Sequence, residues 1–164
     1  MVTELGVYFE PELAVESANV TGGIRGLFPR IKITLLGERK VPESVWDTFL
    51  AQYDAPSILA LMIEPKESMG LLWLIKGELG DTHHKGLFGA TLGRRGVVSV
   101  SRMPNADALV KESAHEVGHI LGLGHCLGAC LMRPSRTIEE VHNKTGTFCQ
   151  SCREQLNRAT ENLG

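Results

Sequence analysis

The sequence predicts a mixed α/β (α+β) fold in one domain, and three observations support this. The chain has 164 residues, enough for one domain of ordinary size and hardly enough for two separate hydrophobic cores. Apolar residues make up 43% and charged residues 22% of the chain, the balance of a globular protein rather than a disordered one. Short apolar runs alternate with helical patterns over residues 1–103, which indicates strands and helices in turn.

The first half of the chain contains the clearest strand and helix patterns. A short apolar run at residues 5–9 predicts the first strand, and a helix can begin at Pro11. Alternation of polar and apolar residues over 30–35 predicts a half-buried second strand. Apolar side chains at three- and four-residue spacing predict a helix over 42–53. The continuous apolar run at 57–63 predicts a central strand that is covered on both faces.

Glycine is concentrated between residues 70 and 96, where it occupies seven of the 27 positions. Such a composition favours loops. We therefore expect a loop region here that encloses one edge strand at 87–92, followed by a strand at 97–101.

The last third of the chain predicts three helices. Asn105 or Asp107 can cap a long helix, and Gly122 ends it. A capping-box pattern at 137–140 begins a small helix. Residues 151–162 suit a terminal helix.

The charge balance gives no support to a nucleic-acid or membrane surface. Seventeen Lys and Arg against nineteen Asp and Glu give a formal net charge of -2, whereas such surfaces normally carry a basic excess. Every apolar run is far shorter than the roughly 20 residues that cross a bilayer. The first residues lack the basic and apolar stretches that mark a signal peptide. We therefore expect a cytoplasmic protein without a nucleic-acid or membrane partner.

The most informative segment runs from His115 to His125. On a helix, His115 and His119 lie one turn apart on the same face, so both imidazoles can reach one metal ion. Gly122 permits a sharp turn that ends the helix and lets His125 return to the same ion. Three neutral histidines leave zinc an open position for water, which is typical of a catalytic site. The alternative is a chance occurrence of this pattern on an ordinary buried helix.

Glu116 follows the first histidine and points about 100° around the helix, beside the metal rather than at it. A carboxylate there can take a proton from water whose pKa zinc lowers towards roughly 7. The segment therefore predicts metal-assisted hydrolysis with Glu116 as the general base. Gly118, inside the same helix, indicates close packing against a neighbouring element, unless it is simply tolerated.

The four cysteines form two close pairs, Cys126 with Cys130 and Cys149 with Cys152, separated by 18 residues. This spacing suits a structural zinc ion held tetrahedrally by four thiolates. Such an ion would clip together a C-terminal segment that is too small to build much core of its own. Disulfides and free buried thiols are the alternatives, and disulfides need an oxidising compartment.

These motifs together resemble the archaemetzincins, a family of metzincin zinc metallopeptidases. The resemblance covers residues 115–152: the long histidine motif runs directly into Cys126, and the triplet 130–132 and the pair 149–152 follow. Two spacings are each one residue shorter than is usual for the family. They are the spacing between Cys126 and Cys130 and the spacing from Met132 to Cys149.

The resemblance implies a catalytic zinc ion, a general base, a Met-turn and a second, structural zinc ion. His115, His119 and His125 would bind the catalytic zinc ion, and Glu116 would be the general base. Met132 would lie in the Met-turn. The structural zinc ion would be bound by Cys126, Cys130, Cys149 and Cys152. It also implies one metzincin-like catalytic domain over 1–164, with a cleft between two parts. The upper subdomain, about 1–122, would hold a twisted mixed sheet with backing and active-site helices. The lower subdomain, about 123–164, would be small, helical and clipped by zinc. For Met132, filling a gap in the core is the plainer alternative.

The glycine-rich segment contains a stretch that is similar to the edge strand of the family. Its residues are Leu87, Phe88, Gly89 and Ala90. An edge strand offers main-chain donors and acceptors to an extended peptide, and a merely structural edge is the alternative. We therefore expect a peptide or protein substrate.

The predicted function is zinc-dependent hydrolysis of peptide bonds, and aminopeptidase activity is associated with relatives in the family. Glu78 or Asp81 are the acidic candidates for binding a free amino terminus. The main alternative is a non-catalytic zinc protein that binds a peptide or protein partner through its cleft or its four-cysteine module. Glu116 argues against it, because simple metal binding does not need that carboxylate. A nucleic-acid-binding zinc ribbon is disfavoured, because only five Lys and Arg residues follow Cys126.

Overall fold

The computed structural model describes residues 1–63 and 65–161. The helices are α1 (Ala14–Leu27), α2 (Ala55–Leu61), α3 (Ala106–Ile120), α4 (Ile138–Asn143) and α5 (Gln150–Thr160). The strands are β1 (Glu4–Phe9), β2 (Lys32–Glu38), β3 (Trp46–Asp47), β4 (Gln52–Asp54), β5 (Met69–Ile75), β6 (Leu79–Gly80), β7 (Gly89–Leu92) and β8 (Arg95–Ser99). None of the helices in these described ranges is long and apolar enough to span a membrane.

The main sheet has the strand order β2–β1–β5–β8–β7. The first four strands are parallel to one another, and β7 runs antiparallel to β8 at the edge. A smaller sheet pairs β3, β4 and β6. This architecture confirms the predicted mixed α/β class.

Helices cover both faces of the main sheet. On one face, α1 and α3 pack together over Leu72 and Leu74 of β5. On the other face, α2 and the chain before it pack around Leu71 and Trp73. Because alternate residues of a strand point to opposite faces, a central strand buried on both sides reads as a continuous apolar run.

Capping interactions begin the helices that lie near the histidines and cysteines. The Asn105 side chain accepts a hydrogen bond from the Ala108 N–H at 2.8 Å, and so caps α3. At α4, the Thr137 hydroxyl accepts from the Glu140 N–H at 3.1 Å, while the Glu140 carboxylate accepts from the Thr137 N–H at 3.2 Å. The predicted caps of both helices are therefore confirmed.

The C-terminal part of the chain shares its core with the sheet. Leu131, Met132, Phe148 and Leu156 belong to the same buried cluster as the residues of β1 and β5 that face α3. The division into an upper and a lower subdomain at residue 122 stays a prediction.

The helix predicted over 42–53 is wrong. A short 3-10 turn at Glu43–Val45 leads into β3, and the chain turns back into β4. The Trp46 and Tyr53 rings meet edge to face across these strands, with centroids 4.9 Å apart. The helical spacing of the apolar residues was therefore coincidental: Trp46 packs across a hairpin, and Phe49 is exposed.

The central strand predicted over 57–63 is also wrong, since most of that run lies in α2. Asp54 caps this helix by accepting a hydrogen bond from the Ser57 N–H at 3.0 Å, and Pro56 occupies its first turn. A capping aspartate with a proline in the first turn of the helix is a helix-start signal that outweighs a short apolar run.

The loop predicted over 70–96 is wrong in its first part, because β5 is the central strand of the sheet. A Cβ added at Gly70 would lie 2.5 Å from Cγ2 of Ile120, and one at Gly96 would lie 3.2 Å from Cδ1 of the same side chain. Glycine therefore allows α3 to pack closely on two adjacent strands. The edge strand is present as β7, and it is shorter than the predicted range of 87–92.

Candidate metal centre and active site

Three histidine side chains converge at the C-terminal end of α3. The Nε2 atoms of His115 and His119 are 3.0 Å apart, and a ligand atom of His125 lies within 4.8 Å of both. Gly122, with φ of +92°, allows the turn that brings His125 back to the helix. Zinc binds histidine at about 2.0–2.1 Å, so one ion can reach all three rings.

Backbone carbonyls fix the orientation of the two helical histidines. His115 Nδ1 lies 3.0 Å from the Leu131 carbonyl oxygen, and His119 Nδ1 lies 2.8 Å from that of Leu123. A carbonyl only accepts, so each Nδ1 donates and each Nε2 is left as the ligand atom. Burial lowers the pKa of His115 to about 3 and also lowers that of His119. Both rings are therefore neutral, as metal ligands must be.

The carboxylate of Glu116 is buried beside this cluster. The Thr91 hydroxyl donates a hydrogen bond to its Oε2 at 2.6 Å. Burial, with the nearby carboxyl of Glu112, raises the pKa of Glu116 to about 8. A pKa near neutrality suits a group that takes up a proton and gives it back.

Met132 lies directly beneath α3 and is fully buried. A Cβ at Gly118 would lie 2.9 Å from Cε of Met132 and closer still to its sulfur. The predicted close packing at Gly118 is therefore confirmed, and its partner is Met132. The carbonyl of Met132 accepts a hydrogen bond from the Cys126 N–H at 3.0 Å, which ties this turn to the residue after His125.

A buried ion pair lies behind His115. The Lys144 ammonium group, at the end of α4, is 2.9 Å from Oε2 of Glu112, and the two side chains are 2% and 5% exposed. The same ammonium nitrogen is 3.5 Å from Nδ1 of His115. This pair joins α3 to the C-terminal part of the chain.

The four cysteine sulfurs also converge, and none of them forms a disulfide. The sulfurs of Cys126 and Cys149 are 3.8 Å apart, close to the roughly 3.8 Å edge of a tetrahedron with Zn–S bonds of about 2.3 Å. The Cys130 sulfur accepts hydrogen bonds from the N–H groups of Met132 and Cys149 at 3.5 and 3.3 Å.

Hydrogen bonding favours a thiolate at one of these cysteines. The backbone N–H of Cys152 lowers the pKa of the Cys149 thiol to about 7, whereas burial raises the pKa of Cys152 itself. Four convergent thiols of which one ionises near neutral pH fit a zinc ion, which binds the thiolate form.

A cleft of about 690 Å³ opens over the histidines. Its lining includes Gly89, Ala90 and Thr91 of β7, together with Glu116 and His125. Of the other predicted edge-strand residues, Phe88 packs into a small apolar cluster under α4, and Leu87 packs against the core on the α2 side.

The two acidic candidates for binding an amino terminus are engaged elsewhere. Oε1 of Glu78 accepts a hydrogen bond from the Ser101 hydroxyl at 3.0 Å. Oδ1 of Asp81 accepts from the N–H groups of His83 and His84, both at 2.7 Å. These bonds give both carboxylates a role in the local loop structure.

Comparison with known proteins identifies the family. Peptidase family M54 matches residues 88–158 of this chain. An archaemetzincin from Archaeoglobus fulgidus is 33% identical in an alignment that covers 92% of this chain and 98% of that protein. The chain belongs to the archaemetzincins. An archaemetzincin from Methanopyrus kandleri is 36% identical in an alignment that covers 73% of this chain and 74% of that protein.

The solved structures agree with this family. The crystal structure of archaemetzincin from Methanopyrus kandleri matches with a TM-score of 0.81 and 28% identity, over 98% of this chain and 96% of that one. Membership in this peptidase family makes the chain a zinc metallopeptidase, a hydrolase. The predicted family, fold class and enzyme class are therefore confirmed.

Three residues near the candidate site of this archaemetzincin were not predicted from the sequence. Glu112 lies one helical turn before Glu116, and that spacing alone could have drawn attention to it. Thr91 is two residues after Gly89 on the edge strand, so both share one face. Lys144 carries no local signal, because its partner is 32 positions away in the sequence.

Proposed function

We propose that this archaemetzincin hydrolyses peptide bonds at the three-histidine centre, with Glu116 as its general base. The observation that carries the proposal is a buried carboxylate beside three convergent imidazoles, in a cleft whose lining includes Glu116, His119 and His125. Three imidazoles suffice to hold zinc with one position open, so the carboxylate beside them is available to move a proton.

His115 and His119 would hold the catalytic zinc ion through their Nε2 atoms, and His125 through one of its ring nitrogens. When bound, zinc polarises the scissile carbonyl and increases the acidity of water. Glu116 accepts the proton of the attacking water and returns it to the leaving amine. Met132 supports the histidines from below through its packing against Gly118.

We further propose a second, structural zinc ion bound by Cys126, Cys130, Cys149 and Cys152, giving two ions per chain. Because Cys126 directly follows His125, this ion would also hold the third histidine in place. The same ion would hold together the lower subdomain, about 123–164, beside the upper subdomain, about 1–122, because all four cysteines lie in the lower one. Free thiols at these positions are best preserved in a reducing compartment, which supports a cytoplasmic location.

The substrate would be a peptide in extended conformation that pairs with the free edge of β7. β7 is the last strand of the sheet, and three of its residues line the cleft. Main-chain pairing with an edge strand recognises a peptide with little regard to its sequence. If the enzyme is an aminopeptidase, it would cleave peptides with a free amino terminus and not those with an acetylated one.

The test compares zinc-loaded wild type with Glu116→Gln on a peptide library, half of it acetylated at the amino terminus. We expect cleavage by the wild type, a loss of roughly 10²–10⁴-fold in the variant, and an unchanged zinc content. Cleavage of the two halves reports the aminopeptidase mode directly.

Two results would contradict the proposal. Equal cleavage by wild type and Glu116→Gln would remove Glu116 from the reaction. Binding of peptides by both proteins without cleavage would favour a non-catalytic zinc protein. Metal analysis of the same samples gives the number of zinc ions per chain, and one ion instead of two would contradict the four-cysteine site.

A further inference from the structure

Two residues of β7 face the carboxylate of Glu116. Thr91 donates a hydrogen bond from its hydroxyl to Oε2 at 2.6 Å. Gly89 lies two positions earlier on the same face of the strand. Because it has no side chain, there is room for the other oxygen, Oε1; a Cβ at Gly89 would lie 2.7 Å from it. One short strand therefore contacts both oxygens of the carboxylate.

The bond from Thr91 is the only hydrogen bond to this carboxylate among residues 1–63 and 65–161. Glu116 is 4% exposed, so solvent gives it little help in holding one orientation. A hydroxyl that donates to a carboxylate at 2.5–2.7 Å forms one of the stronger hydrogen bonds in proteins. Without it, the long Glu116 side chain could adopt other rotamers within the cleft.

We infer that Thr91 is the positioning residue of the general base: its hydroxyl holds Oε2, which leaves Oε1, beside Gly89, to receive the proton. This inference rests on the proposed function, in which Glu116 is that base. Because β7 is also the strand that would pair with the peptide, substrate and base are aligned by the same backbone.

The test uses Thr91→Val, which removes the hydroxyl and keeps the shape, and Thr91→Ser, which keeps the hydroxyl. Thr34→Val is a matched control, because the Thr34 hydroxyl donates to Oε1 of Glu4 at the same 2.6 Å, on β2 at the opposite edge of the sheet. The substrate is the library peptide that wild type cleaves fastest, and the zinc-loaded proteins are compared for kcat, KM and zinc content.

We expect Thr91→Val to lower kcat by roughly 10- to 100-fold, as the loss of a hydrogen bond to a charged group implies. KM and zinc content should stay close to those of wild type, because the variant keeps the strand and the ligands. Thr91→Ser should recover most of the activity, and Thr34→Val should leave kcat unchanged. A fall in kcat of similar size in Thr34→Val, or no recovery in Thr91→Ser, would overturn the inference.

A crystal structure of Thr91→Val gives a second readout that does not depend on activity. We expect the Glu116 carboxylate to leave the position that it holds in wild type. An unchanged carboxylate would refute the role of Thr91 even if wild type cleaved no peptide. The two proposals can also fail separately. If wild type cleaved no peptide but Glu116 were displaced in Thr91→Val, the peptidase mechanism would be contradicted. The role of Thr91 in positioning Glu116 would still be supported.

Discussion

The buried pair between Lys144 and Glu112 permits a quantitative prediction. Lys144→Met keeps an unbranched side chain of similar length but removes the cation 2.9 Å from the Glu112 carboxylate. Burial already raises the pKa of Glu112, and the positive charge of Lys144 opposes that effect. The substitution therefore leaves a carboxyl group buried in α3 without its partner.

Removing one member of a buried pair costs about 3–5 kcal/mol. A domain of this size has a total stability of about 5–15 kcal/mol, so the loss is a large fraction. For chains of 150–250 residues each kcal/mol shifts the Tm by about 2–4 °C, so we expect Lys144→Met to lower the Tm by roughly 6–20 °C. Calorimetry on the zinc-loaded protein measures this shift.

Lys32→Met is the matched control, because it makes the same chemical change in an exposed pair. Lys32 lies 3.2 Å from Glu4 and its side chain is 73% exposed, so its removal should cost about 0–1 kcal/mol. The double variant Glu112→Leu with Lys144→Met removes both charges and should be more stable than Lys144→Met alone. A Tm for Lys144→Met as high as that of Lys32→Met would refute this reasoning.

Three further predictions test the packing, the turn and the second metal site. Gly118→Ala should destabilise the protein by about 1–3 kcal/mol, because the added Cβ presses on Met132. The control is Gly22→Ala on α1, where the added Cβ meets open space. It should stabilise the protein by about 0.4–1 kcal/mol. Urea denaturation measures both, and equal effects would contradict close packing at Gly118. Gly122→Ala should cost about 1–2 kcal/mol, because alanine must then adopt a φ of +92°; an unchanged urea midpoint would show that the turn relaxes freely. Cys130→Ser should reduce the zinc content from two ions per chain to one, and metal analysis that still finds two would rule out the four-cysteine site.

Local signals made the second half of the fold predictable from the sequence. Asn105 and Thr137 cap their helices through bonds that span three residues, so the sequence pattern contains the whole interaction. The three histidines lie within 11 residues, on one helix and the turn that follows it. Helical geometry and one glycine at positive φ are sufficient to bring them together.

Specific contacts that hydrophobic spacing does not encode explain the two elements that were predicted wrongly. Trp46 and Tyr53 have helical spacing with their neighbours, but they meet across a hairpin. The apolar run at 57–63 suits a strand or a helix equally well, and only the cap at Asp54 decides between them. In both cases the apolar pattern of the segment was compatible with two structures. A ring contact selected one of them in the first case, and a helix cap did so in the second.

The glycines between residues 70 and 96 show why the site itself depends on such contacts. Composition assigned them to a loop, but several of them are the positions where strands meet α3: Gly70 and Gly96 at Ile120, and Gly89 at Glu116. α3, which carries two of the proposed metal ligands, must lie close to the sheet for the edge strand to reach the carboxylate of Glu116. Because these glycines have no side chains, the strands and α3 can approach each other closely. The glycine-rich composition that favours a loop is therefore needed here for the packing of the proposed active site.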